Sequence, residues 1–203
     1  MNHKMYDSAF IVVGLQLDFL TVGNAEFPGL DDISGKIEKL APMWNHLIVL
    51  NEEHPADHIS FAACHPWRKP HQILNIGDRN QYLWPIHCVS GTLGALNPNW
   101  LISLNPLVIK NGMDRETENF SAFDNLTFRE YLTNHHIKHL FFTGFPLEYQ
   151  LRENMLDALN KGFEVSLIQD CTLSLSLNNQ DTIYKELLHL GVKKISYSDL
   201  IQT

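Results

Sequence analysis

The sequence is short of cations, short of cysteine and without a long apolar run, and each shortage removes a class of function. Lys and Arg number 15 against 23 Asp and Glu, a formal net charge of -8. Nucleic acids and anionic membrane surfaces are held by clustered Lys and Arg, so neither is an expected partner. No block of like charge stands out, which makes the acidity a solubility feature rather than a binding one. The three cysteines, Cys64, Cys88 and Cys171, are too few and too scattered for a disulfide framework, and an odd number fits a reducing compartment. No apolar stretch reaches the ~18 residues of a membrane span. Met1 to Ser8 lacks the basic-then-apolar pattern of a secretory leader. The expectation is a cytoplasmic protein with no membrane or nucleic-acid partner, with homo-oligomer formation left open.

What is present is an ordinary globular composition, 44% hydrophobic and 19% charged over 203 residues. That length suffices for one domain, 1–203, with a core that needs no metal or disulfide staple. Short apolar runs at Phe10 to Leu17, Leu47 to Leu50, Leu107 to Lys110, His139 to Thr143, Glu164 to Ile168 and Lys194 to Tyr197 read as strands. The first is followed by a Gly- and Pro-containing stretch, Gly23 to Gly29. Helices fall between the strands. Thr127 and Glu130 have capping-box spacing ahead of Phe128, Tyr131 and Leu132. Gln150 to Asn160 sets Leu151, Met155, Leu156 and Leu159 on one face, with Gly162 past its end. Asp181 to Leu190 repeats the device with Ile183, Leu187 and Leu190, stopped by Gly191. The alternation predicts an α/β fold, a three-layer α-β-α sandwich with a mostly parallel central sheet. Residues 54–100, rich in Pro, His, Trp and Asn, break the pattern as a long excursion, and such excursions are usually functional. Ligands in these folds sit at the carboxyl ends of the strands, so Gly14 to Phe19, Asn51 to His58, Asn111 and Gly144 to Gln150 should converge.

The chemistry is concentrated in Glu52-Glu53-His54-Pro55-Ala56-Asp57-His58, which follows a strand directly, and in His87 of Trp84-Pro85-Ile86-His87-Cys88. Imidazoles with one carboxylate suit zinc, iron or manganese. The competing reading makes His54 and His58 turn residues bonded to backbone. His135, His136 and His139 read as surface or helix-end residues.

Five stretches together resemble the nicotinamidases of the isochorismatase-like hydrolases. Ile11 to Phe19 resembles a first strand reading V-V-D-x-Q-x-D-F. His54 to Phe61 is similar to the metal loop H-P-x-x-H-x-S-F, and Trp84 to Thr92 to W-P-x-H-C-V-x-G-T. Asn119 to Phe123 is similar to S-Y-S-A-F, and Gly144 to Gln150 falls where that family has G-L-A-T-D-Y-C. The blocks keep family order over about residues 9–170. The resemblance implies an isochorismatase-like, Rossmann-like fold and an amidase. In it a helix-N-terminal cysteine attacks a carboxamide, an aspartate manages the proton, a lysine assists, and backbone amides hold the oxyanion. It also implies a divalent metal, zinc foremost with iron or manganese as alternatives, held by Glu52 in place of aspartate and by His54, His58 and His87. Phe19, Trp84 and Phe123 match aromatic positions of the ring pocket, although each could equally be core.

At the positions that carry the reaction the chain departs from the family. The base position is Gly14. The lysine position is Asn111, with Lys110 one residue early and expected to point to the opposite face of a strand. The nucleophile position is Gln150, and the oxyanion-turn position is Pro146, which has no N–H. A cis Phe145–Pro146 bond is expected, because the family's turn has a cis peptide there and the cis form is cheapest before proline. Cys64 is the one outside candidate for a replacement nucleophile. The leading expectation is therefore a catalytically disabled relative that binds metal and a small aromatic or carboxamide ligand, or acts as a subunit or sensor. The alternative is an amide hydrolase in which a metal-bound water replaces the thiol, with Glu148 or Glu53 managing protons.

Overall fold

The computed structural model describes residues 6–76 and 79–201; Met1 to Met5 of the stretch read for a leader lie outside them. Six strands, β1 (Ser8–Val13), β2 (Leu47–Glu52), β5 (Leu107–Asn111), β6 (His139–Gly144), β7 (Glu164–Thr172) and β8 (Lys193–Ile195), form one sheet in the order β5-β2-β1-β6-β7-β8. Every pairing in it is parallel, so the α/β expectation holds. β1 lies in the interior of the sheet and is buried along its whole length. That is why it reads as an unbroken apolar run rather than an alternation.

The two faces divide the side chains of each strand by parity. Ala9, Ile11 and Val13 join a core built with Phe128 and Leu132 of α3 (Leu126–Asn134), Met155 and Ala158 of α4 (Arg152–Asn160), and Leu187 of α5 (Leu177–His189). Phe10 and Val12 join the opposite core, where α1 (Leu30–Leu40) contributes Leu30, Ile33, Ile37 and Leu40 and α6 (Tyr197–Ile201) packs Leu200. A short helix, α2 (Asn99–Ser103), adds Leu101 to that second core. Helices on both faces give the three layers. Among the described residues no helix is long and apolar enough to cross a membrane.

Several boundaries differ from the sequence reading. β1 stops at Val13 and Leu17–Phe19 form a 3-10 turn, because Gly14 takes a left-handed φ of 62° that a strand cannot continue. α3 is capped by Asn125, whose side chain accepts from the Phe128 amide at 3.4 Å, not by Thr127. Leu190 is 49% exposed, so the apolar stripe of α5 ends at Leu187. α1 escaped the reading: its stripe runs Leu30, Ile33, Ile37, Leu40, but Gly35 interrupts it and a Gly- and Pro-rich stretch precedes it. Within residues 54–100, β3 (Ile73–Ile76) and β4 (Arg79–Tyr82) pair antiparallel. Isolated bridges join His54 to Val89 and Phe61 to Trp84. The excursion is thus folded back against the end of β2.

Candidate metal centre

Glu52 is the last residue of β2 and its backbone is clamped by one side chain. Gln16 Nε2 donates to the Glu52 carbonyl at 2.6 Å and to the Ala95 carbonyl at 2.9 Å, while Gln16 Oε1 accepts from the Glu52 amide at 2.9 Å. The Glu52 carboxylate oxygen Oε2 lies 3.3 Å from His54 Nε2 and 2.9 Å from His87 Nε2. One ligand atom from each of the three residues falls within 4.8 Å of the others, and all three residues are buried.

The other ring nitrogens set the tautomers. His54 Nδ1 faces the Gly112 carbonyl at 3.0 Å and His87 Nδ1 faces the Pro85 carbonyl at 2.8 Å. A carbonyl only accepts, so each Nδ1 carries hydrogen, and in the neutral tautomer this selects, Nε2 presents its lone pair toward Glu52. Two lone-pair nitrogens and a carboxylate oxygen repel at these distances unless a proton or a cation lies among them. The donor set therefore fits a divalent metal, with both imidazoles oriented by backbone acceptors as ligating histidines usually are. Burial pushes the Glu52 carboxyl up; with a proton on the facing His54 and His87 nitrogens, hydrogen bonds from those rings outweigh burial and hold the group well below the usual carboxylate range.

Two loops must meet for this geometry. His54 N–H donates to the Cys88 carbonyl at 3.0 Å and the Ser90 amide donates to the His54 carbonyl at 2.8 Å. Asp18, itself buried, accepts from the Cys88 amide at 2.7 Å. Gly112, at φ 94°, lets β5 end against the ring: a Cβ there would stand 2.6 Å from His54 Cε1.

His58 is close but turned away. Its ring stacks on His54 with centroids 4.2 Å apart, yet Nδ1 accepts from the Ser60 amide at 3.2 Å and Nε2 lies 3.2 Å from the Thr117 carbonyl. Burial, then the neighbouring His54, push its pKa down to about 4. The structure thus brings together Glu52, His54 and His87 and leaves both His58 nitrogens on protein partners.

The positions Gly14, Asn111, Pro146 and Gln150 gather at the same end of the sheet. Val13 pairs with Gly144 and Glu52 with Asn111, and the Phe145–Pro146 bond is cis, as expected. Asn111 is buried, whereas Lys110 is 58% exposed and pairs with Glu53 at 2.6 Å; strand alternation keeps the lysine off the site. At Gly14 an added Cβ would sit 2.0 Å from the Phe145 carbonyl oxygen. Gln150 lies in a π-helical turn, Leu147–Leu151, ahead of α4, and π-turns recur at functional sites. Its Nε2 donates to Glu52 Oε1 at 2.9 Å, while its own Oε1 is buried without a donor. An unmet buried acceptor costs about 1–3 kcal/mol.

No cysteine stands at these positions. Burial raises the exposed-side Cys64 thiol, and Asp57 adds to the effect. Burial pushes Cys171 up to about 12, and burial with Glu52, Asp18 and Glu53 nearby raises Cys88 well above a normal thiol. In all three the shift is away from the thiolate. Glu53 is engaged by Lys110 and by Ser90 Oγ at 2.6 Å. Glu148 is engaged by Ser174 and by the amides of Leu175 and Ser176. Phe19 and Trp84 flank His87, with ring centroids 5.2 and 5.3 Å from it. Phe123 lies in the opposite core against Phe128 and Phe163, so the structure does not bring it to the other two. The clamp of Gln16 and the reach of Gln150 escaped sequence reasoning; their targets lie 36 and 98 residues away, and no local pattern signals either.

Comparison with known proteins agrees with this architecture. An isochorismatase domain model matches residues 8–199. A nicotinamidase of Acinetobacter baylyi is 29% identical over 201 residues, covering 95% of this chain and 94% of that protein. A nicotinamidase of Saccharomyces cerevisiae is 26% identical, with 93% and 98% covered. Among solved structures, the nicotinamidase/pyrazinamidase of Acinetobacter baumanii superposes with a TM-score of 0.87 at 29% identity, covering 96% of this chain and 98% of that one. The pyrazinamidase of Pyrococcus horikoshii, solved in complex with zinc, gives 0.77 at 25% identity, with 94% and 99% covered. With nearly its whole length matched and the same parallel sheet, the chain belongs to the isochorismatase family and is a nicotinamidase-like member of it.

Proposed function

We propose that this protein is a metal-dependent binder of a small aromatic or carboxamide ligand that has given up the cysteine amidase reaction. The observation that carries the reading is the side chain at position 150, a carboxamide that donates to the metal-site carboxylate where the resemblance calls for a thiolate. The base position adds to it, since Gly14 has no room for a Cβ beneath Phe145. Loss of nucleophile and base together removes nearly all rate from such a machine.

The metal proposed is zinc, supported by the imidazole-carboxylate donor set and by the zinc complex of the Pyrococcus horikoshii relative. Glu52, His54 and His87 would hold it, and His58 becomes a fourth ligand if its ring leaves Thr117. Bound there, a divalent ion supplies a Lewis-acidic position for a lone pair of the ligand. Phe19 and Trp84 supply aromatic surface beside His87, suited to a flat heterocycle.

Two measurements on one preparation test this. Nicotinamide is offered with and without prior thiol alkylation while ammonia is followed, and nicotinate or nicotinamide is titrated into zinc-loaded and chelated protein. Zinc-dependent binding without ammonia release is expected. Ammonia release abolished by alkylation would overturn the reading, because a working nucleophilic cysteine would then exist.

A further inference from the structure

The Glu52 carboxylate divides its two oxygens between different tasks. Oε2 faces the imidazoles of His54 and His87, and Oε1 accepts from Gln150 Nε2 at 2.9 Å. The orientation of the amide follows from its partner: a carboxylate only accepts, so the NH2 group must face it. The amide oxygen finds no donor among the described residues, which leaves the contact to Glu52 as the one hydrogen bond of that side chain. The backbone beneath is braced. Asn154 Nδ2 donates to the Gln150 carbonyl at 2.8 Å and to the Phe120 carbonyl at 2.7 Å, and Asn154 Oδ1 accepts from the Ala122 amide at 2.9 Å. A braced, buried donor with a single target is suited to positioning that target.

We infer that Gln150 is a positioning residue for the metal: by occupying Glu52 Oε1 it makes Glu52 a one-oxygen ligand. The inference rests on the metal reading above and adds a role for a residue outside the ligand set. A carboxylate whose second oxygen is drawn toward an amide donor favours binding through the other oxygen alone, which keeps the coordination number low and the ligand rotamer fixed. Partners that orient a ligating side chain in this way typically alter metal affinity by about 10–100-fold.

The test is a double-substitution cycle on the full chain, read by zinc affinity in competition with a chromogenic chelator and by the visible d–d spectrum of the cobalt(II)-loaded protein. Gln150→Met keeps the bulk and removes the donor. It should weaken zinc by about 10–100-fold and lower the cobalt absorptivity, as the freed Oε1 raises the coordination number. Glu52→Asp withdraws the carboxylate by ~1.5 Å, out of reach of Gln150. In that background Gln150→Met should change affinity by no more than about 2-fold. Gln150→Asn, which keeps the amide but retracts it by the same ~1.5 Å, replaces the Met variant should circular dichroism find that variant unfolded. Unchanged affinity and spectrum in both Gln150 variants would overturn the inference, as would equal losses in the two backgrounds, which would mean that Gln150 acts through the fold. Failure of the unsubstituted protein to bind either metal would overturn the metal reading and this inference with it. Binding by that protein with indifferent variants would remove the inference alone.

Discussion

The β2 side of the site and the β1–β6 side are held in different ways. On the β2 side, functional side chains rest on a backbone that other side chains secure: Gln16 clamps Glu52, Asp18 ties down Cys88, and the carbonyls of Gly112 and Pro85 fix both imidazoles. On the β1–β6 side, the backbone itself has closed over the place where a side chain would stand, with the Phe145 carbonyl filling the space above Gly14. The three groups that could hold a metal are thus each fixed by hydrogen-bond partners of their own. At Gly14 there is no side chain to secure, and the Phe145 carbonyl occupies the space one would need.

The sharpest way to break that contrast is to truncate one residue on each side. His87→Ala should weaken zinc by more than the ~100-fold typical of losing a mere supporting contact. Asn111→Ala, on the neighbouring strand end, should leave the affinity within about 2-fold. Equal losses in a chelator competition would mean that the two sides are not separate.

Next in size is an attempt to place new side chains on the β1–β6 side. Gly14→Asp sets a Cβ against the Phe145 carbonyl oxygen in a left-handed backbone. Denaturant unfolding should register about 2–4 kcal/mol of destabilisation. The triple variant Gly14→Asp, Asn111→Lys, Gln150→Cys should release no ammonia from nicotinamide. A stable Gly14→Asp protein, or an active triple variant, would show that the backbone had not closed.

A smaller effect concerns His58, whose pKa is pushed down to about 4 from an ordinary ~6.5. The unfolded chain takes up that proton at higher pH than the folded chain does. The stabilisation is therefore complete above about 6.5 and is lost as pH falls toward 4. Chelated protein should melt at progressively lower temperature across that window, and His58→Gln should flatten the slope. An unchanged slope would place the titrating group elsewhere.

Smallest of all should be Lys110→Ala. The pair with Glu53 is largely solvent-exposed on the lysine side, and surface pairs contribute about 0–1 kcal/mol. A large loss of zinc affinity in this variant would mean that Lys110, not Asn111, belongs to the site.

Much of this was legible in the chain. The alternation of short apolar runs with helix-period segments, the glycines after α4 and α5, and the histidines directly after a buried strand led to the parallel sheet and to Glu52, His54 and His87 as groups that could hold a metal. Some misses were local: Gly35 obscured α1, and Thr127 competed with Asn125 for the cap. Two further placements depend on distant parts of the chain. His58 fits the metal loop by spacing, yet the carbonyl of Thr117, 59 residues on, takes its nitrogen. Phe123 fits an aromatic pattern, yet α3 draws it into the opposite core.

The sequence by itself determined what chemistry is available: no cysteine, aspartate or lysine at Gly14, Asn111 and Gln150, and imidazoles with a carboxylate at residues 52–58 and 87. Only the tertiary structure decided which of those groups meet. Glu52 touches His87 and Gln150 across 35 and 98 residues of chain, because parallel strands deliver their carboxyl ends to one edge of the sheet. A hydrogen bond needs two atoms within about 3 Å of each other, and separation along the chain carries no record of that distance.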